Sequence, residues 1–238
     1  MDYGQFCPVS KAAGVLSEKW TLLIIRDLLG GSSRFREFQF GMPRISPTVL
    51  TRRLNELCDA GLVARKKIRG RRGFEYSLTP AGRDLEPIIV KLGTWGMQWA
   101  RTRLTDEQMN VYLLMIAFEK RIDVAQLPRR KTVLEFEFVD IDEANLWWIV
   151  THRGATELCE DEPGPEPALY IQSDRRTMTE IYLGDLSIAK ARRMGRLKLS
   201  GETALERTIQ SWLRPSIYAG IERKGTLPRH ASRATHAR

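Results

Sequence analysis

The spacing of apolar and polar residues in the amino-terminal third of the chain predicts two short helices. The first covers residues 34–38, and a Gly-Met-Pro sequence at 41–43 ends it. The second is predicted for 46–60, where Ser46 can accept a hydrogen bond from an unpaired backbone N–H group. Pro47 suits the first helical position, because no N–H group is needed there. The pattern is therefore that of a helix-turn-helix.

A basic β-hairpin is predicted directly after this second helix. Gly61 suits the left-handed conformation that commonly ends a helix. The runs 62–68 and 74–78 have the composition of strands, and the segment 69–73 between them is Arg-Gly-Arg-Arg-Gly. Like charges at this density repel one another unless anions lie nearby. A helix-turn-helix followed by a cationic hairpin is the layout of a winged-helix DNA-binding domain.

The second helix separates its residues by face. At the helical period of 3.6 residues, Leu50, Leu54 and Leu57 fall on one stripe. An ordinary surface helix would also place polar residues outward, so the preceding helix and the basic hairpin decide in favour of DNA. Small hydroxyl residues, Arg and Asn suit contacts with base edges in the major groove. The residues predicted to read bases are Thr48, Thr51, Arg52 and Asn55, with Ser46 beside them.

Further cations surround this helix in the sequence. Three arginines precede it, and the hairpin supplies more, some of which could also enter the minor groove. Cations of this kind hold the phosphate backbone irrespective of sequence. The residues predicted to contact phosphates are Arg34, Arg36, Arg44, Lys67, Arg69, Arg71 and Arg72.

The segment 80–103 predicts a helix that mediates dimerisation. Its apolar residues recur at alternating spacings of three and four residues, which is a heptad-like seam. A small domain has little surface to cover two tryptophans, so a two-fold partner is favoured over packing on the same chain. The seam residues are Leu85, Ile88, Leu92, Trp95 and Trp99.

The rest of the chain predicts an α+β layer domain, because strand and helix patterns are mixed along it. Strands are expected at 131–139, 145–151, 168–173 and 196–200, and helices at 105–120, 174–183, 186–194 and 202–213. We therefore expect a winged-helix and dimerisation domain at 1–103, a second domain at 104–225, and a disordered basic tail at 226–238.

The positive charge is concentrated where the DNA-binding pattern lies. Residues 1–103 carry 18 lysines and arginines against 9 acidic residues, whereas residues 104–225 carry 17 against 20. A protein that was basic only for solubility would distribute its excess evenly. The distribution is that of an electrostatic footprint for a polyanion.

Other classes of function find little support in the sequence. The three cysteines, Cys7, Cys58 and Cys159, are widely spaced, which is typical of a reduced cytoplasmic protein. There is no Cys-x-x-Cys motif or histidine cluster for a metal, no glycine-rich phosphate loop for a nucleotide, and no catalytic constellation. No apolar run approaches 18 residues, so no membrane span is expected. We therefore predict a protein that is not an enzyme and needs no cofactor.

Several motifs in the first half resemble the HxlR-type winged-helix regulators. They lie at 7–9, 18–28, 44–54 and 75–82, in the order of that family. The resemblance implies a homodimeric bacterial transcription factor, with the helix 46–60 in the major groove and the hairpin 65–76 as the wing. Glu18 is a departure, since the family usually has Gly before this Lys-Trp pair. In some members a cysteine at the position of Cys7 senses oxidants or electrophiles; a small apolar residue in the dimer interface is the alternative.

The second half resembles the sterol carrier protein type two fold over residues 106–224. Short motifs at 169–174, 181–185 and 195–202 carry the resemblance. It implies a five-stranded sheet covered by helices, with an apolar tunnel for lipids or acyl compounds. Candidate lining residues, each of which could equally be core, are Phe136, Trp148, Met178, Ile181, Tyr182, Leu186, Met194, Leu197, Leu199, Ile209 and Trp212.

The function expected from the sequence is dimeric, DNA-binding transcriptional regulation. The partners are double-stranded DNA, a second copy of the chain and a hydrophobic small-molecule effector of the second domain. In the alternatives, Cys7 is the sensor, or the second domain is a lipid carrier or a scaffold for the dimer.

Overall fold

The computed structural model describes residues 3–70, 72–100 and 105–225. These residues divide into two compact units. The first contains the chain up to Lys91 together with Val111–Ile116, and the second contains Leu92–Asn110 and the chain from Ala117 onward. The predictions for Arg71, for 101–103 and for the tail 226–238 lie outside the described residues. Within the described part of the chain, no helix combines the length and apolarity needed to cross a membrane.

The first unit has the winged helix-turn-helix fold. Its central helices and its two-stranded hairpin have the predicted order, and the strands pair antiparallel from Val63 opposite Leu78 to Lys67 opposite Phe74. The elements are α1 (Pro8–Leu16), α2 (Thr21–Leu29), α3 (Phe35–Gly41), α4 (Pro47–Asp59), β1 (Val63–Lys67), β2 (Phe74–Leu78), α5 (Pro80–Arg83) and α6 (Glu86–Trp95), the last of which continues into the second unit.

The core of the first unit lies where its helices meet the hairpin. The side chains of Ile24, Ile25 and Phe38 are fully buried, and so are those of Leu50 and Leu54 from α4. Burying a side chain of this size typically contributes about 1.5–3 kcal/mol. The apolar stripe of α4 therefore fixes which of its faces points away from the core.

The single helix predicted for 80–103 is interrupted in the structure. Helix α5 ends at Arg83, α6 begins at Glu86, and a π-helix follows at Gly96–Ala100. Pro87 explains the first break, because it has no N–H group to donate to the carbonyl of Arg83. The chain therefore leaves the hairpin through a short capped turn before the longer helix starts.

The second unit is built on a five-stranded sheet, and each predicted strand is present. Its elements are a 3-10 helix (Asp106–Gln108), the end of α7 (Val111–Glu119), a 3-10 helix (Val124–Gln126), β3 (Thr132–Phe138), β4 (Leu146–His152), β5 (Ala155–Cys159), β6 (Leu169–Ser173), α8 (Arg175–Leu183), α9 (Ile188–Arg193), β7 (Leu197–Gly201) and α10 (Thr203–Trp212). The helix predicted for 105–120 is thus shorter, since α7 begins only at Val111.

The strand order is β5-β4-β3-β6-β7, with β3 and β6 parallel and the other pairs antiparallel. Phe136 lies opposite Trp147 on β4 and beside Ile171 on β6, so these side chains share one face. Phe118 of α7 stacks on Phe136 with ring centroids 6.2 Å apart and meets Tyr182 of α8 edge-on at 5.4 Å. The helical layer therefore packs on this face.

Glu119, the last residue of α7, gives the second unit a predicted pH dependence. Burial raises the pKa of its carboxyl group from the ordinary value of 4.5, against the lowering effects of Lys120 and of hydrogen bonds donated by the Leu158 N–H and the Thr156 hydroxyl. A raised folded-state pKa means that stability is lost as the pH rises above about 4.5. The melting temperature of the wild type minus that of Glu119→Gln should therefore decrease as the pH is raised from 4 to 7. An unchanged difference across that range would contradict the prediction.

Candidate nucleic-acid interface

Helix α4 is held by local sequence signals and by its buried stripe. The Val49 N–H donates to the Ser46 hydroxyl oxygen at 3.3 Å, and Pro47 occupies the first turn. Gly61 has φ +71°, the left-handed conformation expected just after the helix. Both predicted ends of the helix are thereby confirmed.

The opposite face of α4 is exposed and polar. Its residues line an open groove of about 550 Å³, and the four predicted base readers are among them. The lining residues are Pro47, Thr48, Thr51, Arg52, Asn55, Glu56 and Asp59. The Thr51 hydroxyl donates to the Pro47 carbonyl at 2.9 Å. Its proton is thus used within the helix, and Thr51 presents a methyl group and an acceptor to the groove.

Arg65 joins this face to the wing, although the sequence reasoning assigned it no role. Its Nη1 donates to Asn55 Oδ1 at 2.9 Å, and its guanidinium carbon lies 4.9 Å from the centre of the Phe74 ring.

Burial raises the pKa of the Cys58 thiol and of the Tyr76 hydroxyl, and the Arg65 charge opposes both shifts. Cys58 is therefore a protonated thiol at neutral pH.

The predicted phosphate contacts lie on both sides of α4. Arg34, at the start of α3, is half-buried and pairs with Glu75 of β2 at 3.5 Å. Arg36 is exposed and lies over the Phe40 ring at 5.0 Å. Arg44 and the wing cations Lys67, Arg69 and Arg72 are exposed. Exposure is what a phosphate contact requires, since each cation must reach the DNA backbone.

Arg53, which the sequence reasoning also missed, is buried on the core side of α4. Only 8% of the residue is exposed, and its guanidinium pairs with Glu18 at 2.6 Å and with Glu56. Its position, three residues after Leu50 on the apolar stripe, predicts burial and therefore a charged partner. Glu18, the departure noted above, supplies that partner from the connection between α1 and α2.

The candidate ligand-lining residues of the second unit do not form one group. Phe136, Leu197 and Leu199 share the helix-covered face of the sheet, because Ile171 lies beside both Phe136 and Leu199. Trp148 lies on the other face, opposite Glu135, and its Nε1 donates to the Glu135 carboxylate at 2.9 Å. Register separates Trp148 from Phe136, since successive strand residues point to opposite faces.

Most of the remaining candidates are core side chains. The buried ones are Met178, Ile181, Leu186, Ile209 and Trp212. Tyr182 is half-buried, whereas Met194 is 54% exposed. An open cleft of about 340 Å³ in this unit is lined instead by Val133, Tyr170 and the segment 165–168, together with polar residues. None of the eleven candidates lines that cleft.

Cys7 lies at the start of α1 and is partly exposed. Its carbonyl oxygen accepts hydrogen bonds from the Lys11 N–H at 3.1 Å and from the Ser10 hydroxyl at 2.8 Å. Among the described residues, no group of three or more histidine, cysteine or acidic side chains is placed to hold a metal ion.

Comparison with known proteins places the first unit among regulators. The HxlR-like helix-turn-helix family model matches residues 15–104. The HTH-type transcriptional regulator YvaP of Bacillus subtilis is 40% identical over 101 residues, which are 42% of this chain and 94% of YvaP. The regulator sll1512 of Synechocystis is 32% identical, over 41% of this chain and 73% of its own length.

The chain is also similar to solved structures of regulators, over about two fifths of its length. The redox regulator HypR in its oxidised form is 34% identical, covering 41% of this chain and all of that chain, with a TM-score of 0.37. The regulator YodB of B. subtilis, in its reduced form, is 30% identical, covering 41% and 97%, with a TM-score of 0.35.

Proposed function

The chain belongs to the HxlR-like helix-turn-helix family of transcriptional regulators, and from that membership we propose that it acts as a dimer that binds operator DNA through α4 and the wing. One observation carries the proposal. Helix α4 buries its leucine stripe and turns Thr48, Thr51, Arg52 and Asn55 to solvent beside the cationic hairpin. A helix that enters the major groove needs such a face.

The proposed roles follow from chemistry and exposure. The four groove-lining side chains read base edges, with Ser46 beside them at the start of the helix. Arg34 approaches the DNA backbone from α3, and its ion pair with Glu75 also ties it to the wing. The proposed phosphate contacts are Arg34, Arg36, Arg44, Lys67, Arg69 and Arg72, together with Arg71, which lies outside the described residues.

Exposed apolar side chains support the dimer. On α6, Ile88, Leu92 and Trp95 are each about half exposed, whereas Leu85 packs on the core of the first unit and Trp99 lies against Gly225. Of the five residues of the predicted seam, three are therefore available to contact a second copy, namely Ile88, Leu92 and Trp95. The amino-terminal segment adds further exposed apolar residues, namely Tyr3, Phe6, Val9 and Val15. A second copy that covered these side chains would remove a large apolar area from water.

Binding to selected DNA tests the proposal directly. Duplexes would be selected from a randomised pool, and the affinity of the best one measured at several salt concentrations. If Arg34, Arg36, Arg44, Lys67, Arg69 and Arg72 each neutralise one phosphate, the contacts of one subunit alone should lower affinity roughly 10³-fold between about 50 and 200 mM salt, and those of a dimer should lower it further. Sedimentation should give a dimer at micromolar concentration. Failure to bind any duplex in a salt-dependent way would refute DNA binding, and a monomer with full affinity would refute the dimer.

For the second unit we infer a ligand-binding domain of sterol carrier protein type two character that responds to a hydrophobic small molecule. The five-stranded sheet with a helical layer on one apolar face supports this inference. A ligand that prefers one dimer geometry would shift operator affinity by its differential affinity for the two states. A rise in melting temperature with fatty acyl or aromatic compounds, together with a change in operator affinity, is the expected result.

A further inference from the structure

The contact between Asn55 and Arg65 joins a proposed base reader to the wing. Arg65 lies on β1, opposite Tyr76, and its Nη1 donates to the Asn55 side-chain oxygen at 2.9 Å. Both residues are exposed, and Asn55 lines the groove on the face of α4 that we propose meets DNA. A hydrogen bond in which the donor is charged is stronger than one between neutral groups. The orientation of the Asn55 amide is therefore coupled to the wing.

The Arg65 side chain makes a second contact, with an aromatic ring of the hairpin. Its guanidinium lies over the ring of Phe74, which is on β2 and 39% exposed. The planar guanidinium stacks on aromatic faces in a way that a lysine ammonium does not. Arg65 thus presents its N–H groups to Asn55 in an orientation that is set before DNA arrives.

This arrangement selects one of the two orientations of the amide. An asparagine amide has one acceptor oxygen and one donor nitrogen, and rotation by about 180° exchanges them. In the rotated state, the Nδ2 donors would face the donors of Arg65, which is unfavourable. With the oxygen toward Arg65, Nδ2 can donate to a base, and the second lone pair of Oδ1 can accept from one.

We propose that Arg65 is a positioning residue that sets base preference by holding the Asn55 amide in the orientation that matches adenine. Adenine offers its N6 amino group to an acceptor and its N7 to a donor in the major groove, which is the pattern that a fixed asparagine amide meets. The inference rests on the proposed DNA-binding function. It extends that function by assigning a role to Arg65 and by naming adenine as the base that Asn55 contacts. A free amide would discriminate less, because it could rotate to suit other bases.

The test is a double-mutant cycle measured on base preference. Wild type, Asn55→Ala, Arg65→Met and the double variant would each be used to select duplexes from a randomised pool. The wild type should prefer adenine at one position of each half-site, and Asn55→Ala should reduce that preference by about 5- to 150-fold. Arg65→Met should relax the same position and leave the preferences at other positions unchanged. The double variant should show no relaxation beyond Asn55→Ala.

Lys67→Met is the matched control, because Lys67 lies two residues further along β1 on the same side of the strand. It should weaken all duplexes alike and lower the salt slope by about one phosphate contact per subunit. Arg65→Lys should keep the wild-type salt slope but lose part of the adenine preference, since lysine lacks the planar fork. Melting temperatures of all variants should stay near that of the wild type, as these side chains are exposed.

Two results would overturn the inference. One is an Arg65→Met variant that weakens every duplex equally and keeps the wild-type preference at the Asn55 position. The other is additivity of the two single changes in the base preference. Both differ from the failure of the proposed function itself, in which the wild-type protein would select no duplex at all.

Discussion

Replacing Gly82 with alanine should destabilise the first unit by about 3 kcal/mol or more, at the upper end of the effects of overpacking. A Cβ atom at this position would lie 2.2 Å from the backbone carbonyl oxygen of Leu62 and 3.0 Å from Leu78 Cδ2. A backbone oxygen cannot rotate away, and it already accepts a hydrogen bond from the Thr79 N–H at 3.0 Å. The connection between the hairpin and α5 would have to move. Urea unfolding of the full chain, followed by circular dichroism, measures the loss.

Gly96→Ala is the matched control for this prediction. Within the described part of the chain, no atom outside the local helical backbone lies within 4 Å of the position that a Cβ atom would take at Gly96. The change should therefore alter stability by no more than about 1 kcal/mol, the difference in helix propensity between the two residues. A Gly82→Ala variant as stable as Gly96→Ala would show that α5 does not approach the hairpin as closely as described. Operator affinity should fall with Gly82→Ala, because the wing depends on the same connection.

Replacing Trp212 with alanine should destabilise the second unit by about 3–5 kcal/mol, the usual cost of removing a buried aromatic side chain. Trp212 is fully buried, and its Nε1 donates to the Leu205 carbonyl at 3.2 Å. Its own carbonyl accepts from the Asp123 N–H at 2.8 Å, so the residue also joins α10 to the 3-10 helix Val124–Gln126. A thermal unfolding series would give the loss.

Met194→Ala is the companion change. Met194 and Trp212 were both candidates for the lining of a ligand tunnel, but Met194 is 54% exposed. Its effect on stability should be within about 0.5 kcal/mol, as for most surface substitutions. Together, Trp212→Ala and Met194→Ala test whether Trp212 belongs to a packed core or lines a ligand cavity. Near-wild-type stability of Trp212→Ala combined with altered binding of acyl compounds would place Trp212 in the lining of a ligand cavity and contradict the role in the packed core that we expect for it.

The sequence was informative where the determinants are local. Ser46, Pro47 and Gly61 each act within one helical turn, so the ends of α4 were predictable. The alternation of apolar and polar residues along 131–139 likewise predicted a strand, which β3 confirms. Charge segregation pointed to the unit that carries the proposed DNA-binding surface.

What the sequence did not predict depends on pairing across the fold. Trp148 and Phe136 were grouped by apolarity, yet the β3–β4 register places them on opposite faces. Arg65 was assigned no role from the sequence, because only the packed structure brings it to Asn55. The break near Pro87 was the exception, since proline chemistry could have indicated it from the sequence.

The ion pair between buried Arg53 and Glu18 limits how α4 can be exchanged between relatives. A chimera that moved residues 47–59 into a host with glycine at the position of Glu18 would leave a cation in the interior with one carboxylate fewer. Separating a buried charge from its partner is strongly destabilising. Redesigned regulators with a new operator should therefore inherit residue 18 and the helix as a single module.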